Sequence, residues 1–140
     1  MQAKQWGNEY RTTSVCVDSY ENQVLAGRFY NPYYPEGVRF HSVMEFLLKM
    51  EEMLDEMNFP QAFSDVRTFA KAPAMIPRET YDGKIQKGEL ATFALKVLFR
   101  QNTSWQGSVS WLEGGREETF RSVLELLFLL DSAVTERKEY

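Results

Sequence analysis

Two hydroxyl–carboxylate pairs recur at one spacing, Ser42 with Glu45 and Ser122 with Glu125. A serine near a glutamate can act as nucleophile and base. It can equally form a capping box, in which the hydroxyl accepts from the N3 amide and the carboxylate reaches back to the serine N–H. Each pair opens a long apolar run, the place where a helix cap belongs, so both are assigned to structure. His41 is the single histidine and Cys16 the single cysteine. With no second imidazole, and with alternation placing Cys16 on the other side of the sheet, neither a metal pair nor a Cys–His nucleophile assembles. One thiol also rules out an internal disulfide and is compatible with a reducing compartment.

The remaining polar groups are read the same way. Glu51, Glu52, Asp55 and Glu56 follow an apolar stripe and form a solvated helix face, with cation binding or an acidic docking face as alternatives. Glu113, Glu117 and Glu118 flank Gly114-Gly115, but no second carboxylate can be set opposite them at glycosidase distance. The glycine pair lacks the Gly-Lys-Ser/Thr ending of a phosphate loop. Asn102-Thr103-Ser104 matches the glycosylation triplet, yet the first residues hold no apolar leader to carry it into the secretory pathway. The expectation is no catalytic residue, no metal, no cofactor and no enzyme activity.

The elements that position these groups follow from composition and pattern. A chain of 140 residues, 44% hydrophobic and 26% charged, is expected to be one soluble globular domain. Its net charge of -4 argues against non-specific binding to nucleic acid or to an anionic membrane. The most apolar run, Val123 to Leu130, is broken by Glu125 and falls well short of the ~20 residues that span a bilayer. A cytoplasmic location without membrane contact is the expectation.

The strings Phe40-His41-Ser42-Val43-Met44-Glu45-Phe46-Leu47 and Phe120-Arg121-Ser122-Val123-Leu124-Glu125-Leu126-Leu127 share Phe-x-Ser-Val-x-Glu-x-Leu, 80 positions apart. The same shift places Thr12 on Thr92, Val17 on Val97, Asn22 on Asn102 and Gly27 on Gly107, which implies a duplicated unit. Thr12 to Tyr20 reads as a strand with Val15 and Val17 inward and Cys16, Asp18 and Tyr20 outward. Val24 to Asn31 returns with Leu25, Gly27 and Phe29 inward. Pro32 to Gly37 is punctuated by prolines and a glycine and reads as irregular. A helix starts at Ser42, carries a stripe of Phe40, Val43, Leu47, Met50, Leu54 and Met57, and ends at Asn58 and Pro60.

In the connector, Phe59, Phe63, Val66 and Phe69 are expected to pack on the domain, and Pro73 to Glu89 to be mobile. The second unit turns Leu95, Val97 and Phe99, then Trp105, Gly107, Val109 and Trp111, inward. Glu113 to Arg116 is read as a lead into the second helix. Gly27 and Gly107 are expected to let a helix approach the sheet closely. The expected fold is α+β, a duplicated ββα unit (ββα–ββα) forming a four-stranded antiparallel sheet with two helices packed on one face, related by a pseudo-twofold. Residues 1–140 form a single domain of two repeats: 12–58 the first ββα unit, 59–91 a partly mobile connector, 92–137 the second ββα unit.

Two surfaces stand out. Leu124, Phe128 and Leu129 extend the second helix's apolar residues beyond one stripe, so they need a cover: the connector, a second copy of the chain or another protein. The helix-free face is expected to carry Tyr20, Arg28, Tyr30, Lys96 and Arg100, the rings and cations with which a sheet stacks and neutralises single-stranded nucleic acid. The sequence therefore points first to a non-enzymatic protein–protein interaction module, an adaptor, regulator or small acidic inhibitor, with self-association through the second helix as one form. The alternative is a single-stranded nucleic-acid-binding protein.

Overall fold

The computed structural model describes residues 6–69, 79 and 86–138. Strands β1 (Thr12–Glu21), β2 (Val24–Asn31) and β3 (Tyr34–Phe40) lead into helix α1 (Val43–Met57). Strands β4 (Ala91–Phe99), β5 (Gln106–Trp111) and β6 (Arg116–Phe120) lead into α2 (Val123–Lys138). All six strands join one sheet in the order β3-β2-β1-β4-β5-β6, and every neighbouring pair is antiparallel. The expected four-stranded ββα–ββα arrangement is thus corrected: β3 and β6 are additional edge strands, and each half runs strand, strand, strand, helix.

The two missed strands hide their character for separate reasons. Pro35 and Gly37, with φ +83 at the glycine, lie inside β3. An edge strand tolerates a proline because its outward N–H has no ladder partner to lose. In β6, Arg116-Glu117-Glu118-Thr119 is exposed throughout and shows no apolar alternation, only the charges that protect an edge.

At the centre, β1 and β4 pair from Thr12↔Lys96 to Val17↔Ala91, with Ser14 opposite Ala94. The β1–β2 register slips between Val17 and Ser19, and the β4–β5 register slips between Val97 and Phe99. These bulges reverse the alternation beyond them. Tyr20 and Arg100 therefore turn to the helix side, while Phe99, expected in the core, is 53% exposed. Gly27 and Gly107 lie opposite the bulges. A Cβ on Gly27 would sit 1.9 Å from the Cys16 carbonyl oxygen, and one on Gly107 would sit 1.8 Å from that of Lys96. The neighbouring strand's backbone demands glycine at both positions, not the approach of a helix.

The core lies between the sheet and the helices. Phe29, Phe40, Phe46, Met50, Met53, Phe93, Leu95, Phe120 and Leu126 are fully buried there, each contributing about 1.5–3 kcal/mol relative to exposure. Both caps form. Ser42 Oγ accepts from Glu45 N, and Ser122 Oγ from Glu125 N, each at 3.2 Å. The return bond shifts by one residue: Glu45 accepts from His41 N at 3.1 Å and Glu125 from Arg121 N at 2.8 Å, so the serine amide is not the donor. Asn58, with φ +50, closes α1 by donating to the Asp55 and Leu54 carbonyls.

Of the connector residues expected to pack, only Phe59 does so, with the Arg11 guanidinium 4.7 Å from its ring centroid. Phe63, Val66 and Phe69 are exposed. Most of the Pro73–Glu89 stretch expected to be mobile lies outside the described residues. Its end is fixed to the sheet: Gly88 N donates to Thr92 Oγ1 at 2.9 Å and Glu89 N to Asp18 Oδ1 at 3.1 Å.

Candidate functional site

Helix α2 buries Leu126, Leu130, Ala133 and Val134 against the sheet. One turn apart on its outer side, Leu124 and Phe128 remain 62% and 64% exposed. They border a groove of about 290 Å3 whose other walls include Tyr20, Leu25, Val43 and Leu127. Tyr20 closes the groove's polar end by donating its hydroxyl to Asp131 Oδ1 at 2.5 Å. That hydrogen bond, reinforced by burial, pushes the phenol up to about 12, so Tyr20 stays a neutral donor. Leu129 faces the other flank of α2, in a groove of about 220 Å3 shared with Trp111 of β5 and Arg116 and Glu118 of β6. The helix residues singled out in the sequence therefore divide between two surfaces.

Sequence reasoning missed Met44 and Leu48 of α1, which are likewise exposed. Their signal was available: they lie 80 positions before Leu124 and Phe128, the same shift that relates the two helix starts. Lys49, aligned with Leu129, is buried and donates to the Arg39 carbonyl at 2.7 Å.

Of the residues proposed for nucleic acid, Arg28 and Tyr30 meet on one face of the sheet, while Tyr20 and Arg100 lie on the helix side. Arg100 lies on the helix side at 3% exposure, with Nη1 2.5 Å from Glu51 and 2.6 Å from Asp55 and Nε donating to the Pro60 carbonyl at 2.7 Å. Two carboxylates read as solvated thus hold a buried cation. On the opposite face, Arg28 is 5% exposed and meets both Asp18 oxygens at 2.5 Å. Its Nε donates to the Tyr30 hydroxyl at 3.1 Å and its Nη2 to the Lys87 carbonyl at 2.8 Å. Burial opposes the charge on Arg28, but the hydrogen bonds to Asp18 and Tyr30 outweigh it and raise its pKa. Tyr30 is buried, and Lys96 alone of the five is an exposed cation.

Cys16 sits beside Arg28 in the strand ladder with no exposed surface. Burial pushes the thiol up to about 11 despite the nearby guanidinium, so it is held as the thiol and not as a nucleophilic thiolate. His41 is exposed, with Nε2 2.9 Å from Glu79, and this contact holds the Glu79 carboxyl below its ordinary value. The Ser42 and Ser122 hydroxyls are engaged in capping. Among the described residues, no group of three or more His, Cys, Asp or Glu side chains could hold a metal ion, and no helix is long and apolar enough to cross a membrane. No protein-family model, curated protein or solved structure matches the chain.

Proposed function

We propose that this protein is a non-enzymatic interaction module that binds another protein through the outer side of α2. The observation that carries this reading is the exposure of Leu124 and Phe128 beside an apolar groove. A leucine and a phenylalanine kept in water each forgo about 1.5–3 kcal/mol that a partner's apolar surface would recover. The groove lets such a partner insert a side chain between Tyr20, Val43 and Leu127 instead of resting on a flat face. A second copy of the chain is one form of this partner, and an adaptor, regulator or inhibitor would use the surface in the same way. The nucleic-acid alternative draws less support, because Arg28 is paired with Asp18 and Arg100 with Glu51 and Asp55.

The test is the double variant Leu124→Glu, Phe128→Glu. Both side chains are solvent-exposed, so its unfolding free energy should stay within about 0.5 kcal/mol of the parent. Association, read by light scattering for the chain alone and by quantitative co-purification from the native host, should fall at least tenfold. A monomer before and after substitution, with an unchanged set and amount of co-purifying proteins, refutes the proposal.

A further inference from the structure

The two edges of the sheet have the same local register but different surroundings. In the β2–β3 ladder Gly27 faces Phe40, Arg28 faces Arg39 and Phe29 faces Val38. In the β5–β6 ladder Gly107 faces Phe120, Ser108 faces Thr119 and Val109 faces Glu118, every residue 80 positions on. At β3 the Arg39 N–H points away from the sheet and donates to the Glu79 carbonyl at 2.8 Å, so another stretch of the chain hydrogen-bonds to that edge. The shared register turns the Thr119 N–H outward at β6. Among the described residues, no backbone hydrogen bond reaches β6 from that outer side.

Beside this open edge runs the groove between β6 and α2. Val109, Trp111 and Ala133 line it. The positions 80 residues earlier than Val109 and Ala133 hold Phe29 and Met53, both fully buried. At these two positions the first half carries the larger side chain and the second the smaller. Trp111 also has its indole N–H shut from solvent with no acceptor among the described residues. The combination of an unpaired strand edge and a shallow apolar trough along a helix suits strand addition: backbone hydrogen bonds supply affinity, and alternate side chains enter the trough.

Charge selects the occupant. Antiparallel pairing of β6 with a second copy, centred on Glu117, on Glu118 or between them, always places glutamate opposite glutamate, an unfavourable cross-strand contact. At the groove itself, among the described residues, Glu118 and Glu136 outnumber the one cation, Arg116. An incoming strand carrying lysine or arginine opposite Glu117 and an apolar residue on the α2 side meets both requirements. We infer that the β6 edge and the adjoining α2 groove bind an extended peptide segment of alternating basic and apolar residues by strand addition. This surface lies on the flank of α2 opposite Leu124 and Phe128, so the inference does not depend on that patch.

The test uses fluorescent ten-residue peptides that alternate lysine with valine, leucine, isoleucine or phenylalanine, titrated against the full chain and followed by polarisation. At least one member should bind saturably, and amide exchange should slow at Thr119. Replacing its lysines by glutamates should abolish binding. Thr119→Pro removes the outward donor at an edge position that tolerates proline and should weaken binding at least tenfold. Ala133→Met, which places the first half's larger side chain in the trough, should weaken it similarly; circular dichroism checks that each variant is folded. Leu124→Glu, Phe128→Glu should leave peptide binding unchanged, which separates this site from the proposed α2 surface. The inference is overturned if no peptide binds, if Thr119→Pro and Ala133→Met bind as the parent does, or if β6 instead mediates a dimer that Thr119→Pro dissolves.

Discussion

Gly27→Ala and Gly107→Ala offer the sharpest test of the sheet geometry. A Cβ at Gly27 would come within 1.9 Å of the Cys16 carbonyl oxygen, where ordinary contact begins at 3.4 Å. The deficit is about 1.5 Å, and the obstructing atom is backbone, not the end of a side chain that could swing aside. Opening the β1–β2 ladder by that distance stretches hydrogen bonds of ~2.9 Å beyond 3.5 Å. Two bonds lost beside the bulge cost about 1–3 kcal/mol, and displacing the core side chains that β2 carries adds about 1–3 kcal/mol. Each substitution should therefore destabilise by about 2–6 kcal/mol, against a total of roughly 7–20 kcal/mol for a chain of this length. Gly115→Ala is the control, because nothing lies within 4 Å and only its φ of +62 is strained; its cost should be about 1 kcal/mol. Urea unfolding followed by tryptophan fluorescence measures all three. If Gly27→Ala or Gly107→Ala shifted the midpoint no more than Gly115→Ala, the bulge carbonyls would not occupy the space assigned to them.

Arg100→Met should destabilise by about 2–4 kcal/mol in the same unfolding assay. Truncating a buried ion pair costs more than that in full burial, but here Glu51 and Asp55 are 31% and 62% exposed and can rehydrate. Cys16 makes stability fall at alkaline pH. Its folded pKa is raised from 9.0 to about 11, so its contribution is full below pH ~9 and is lost as pH rises through ~11, by about 2–3 kcal/mol in all. In a denaturation series from pH 8 to 11 the parent should lose more stability than Cys16→Ala, whose remaining loss above pH ~10 comes from Tyr20, the other group whose pKa folding raises. Ser42→Ala and Ser122→Ala should each cost about 1 kcal/mol through the lost cap, read as a lower thermal midpoint.

The helices were the most legible part of the chain because their signals are local. A serine, a glutamate three residues on and an apolar stripe define a start, and the structure places Ser42 and Ser122 at the caps. The inward residues Val15, Val17, Leu25, Phe29 and Leu95 were legible for a similar reason, since alternation needs only neighbours in sequence. The edge strands were not, because half-buried alternation is the signal for a strand and an edge strand with charges or a proline lacks it. Tyr20, Phe99 and Arg100 were misassigned by a single cause. A bulge adds one residue without marking it in composition, and every side chain beyond it changes face. Partners were least legible: that Arg28 would meet Asp18, or Arg100 meet Glu51, depends on contacts made by folding and not by spacing.

Residues at the ends of the two central strands reach across the midline. Tyr20, next to last in β1, bonds to Asp131 on α2, 111 positions away, while Arg100, just after β4, is clasped by Glu51 and Asp55 on α1. Neither half therefore owns a complete interior. If the chain were severed between 70 and 78, the pieces would be expected to stay collapsed only in each other's company, as a split protein that regains its shape by fragment complementation.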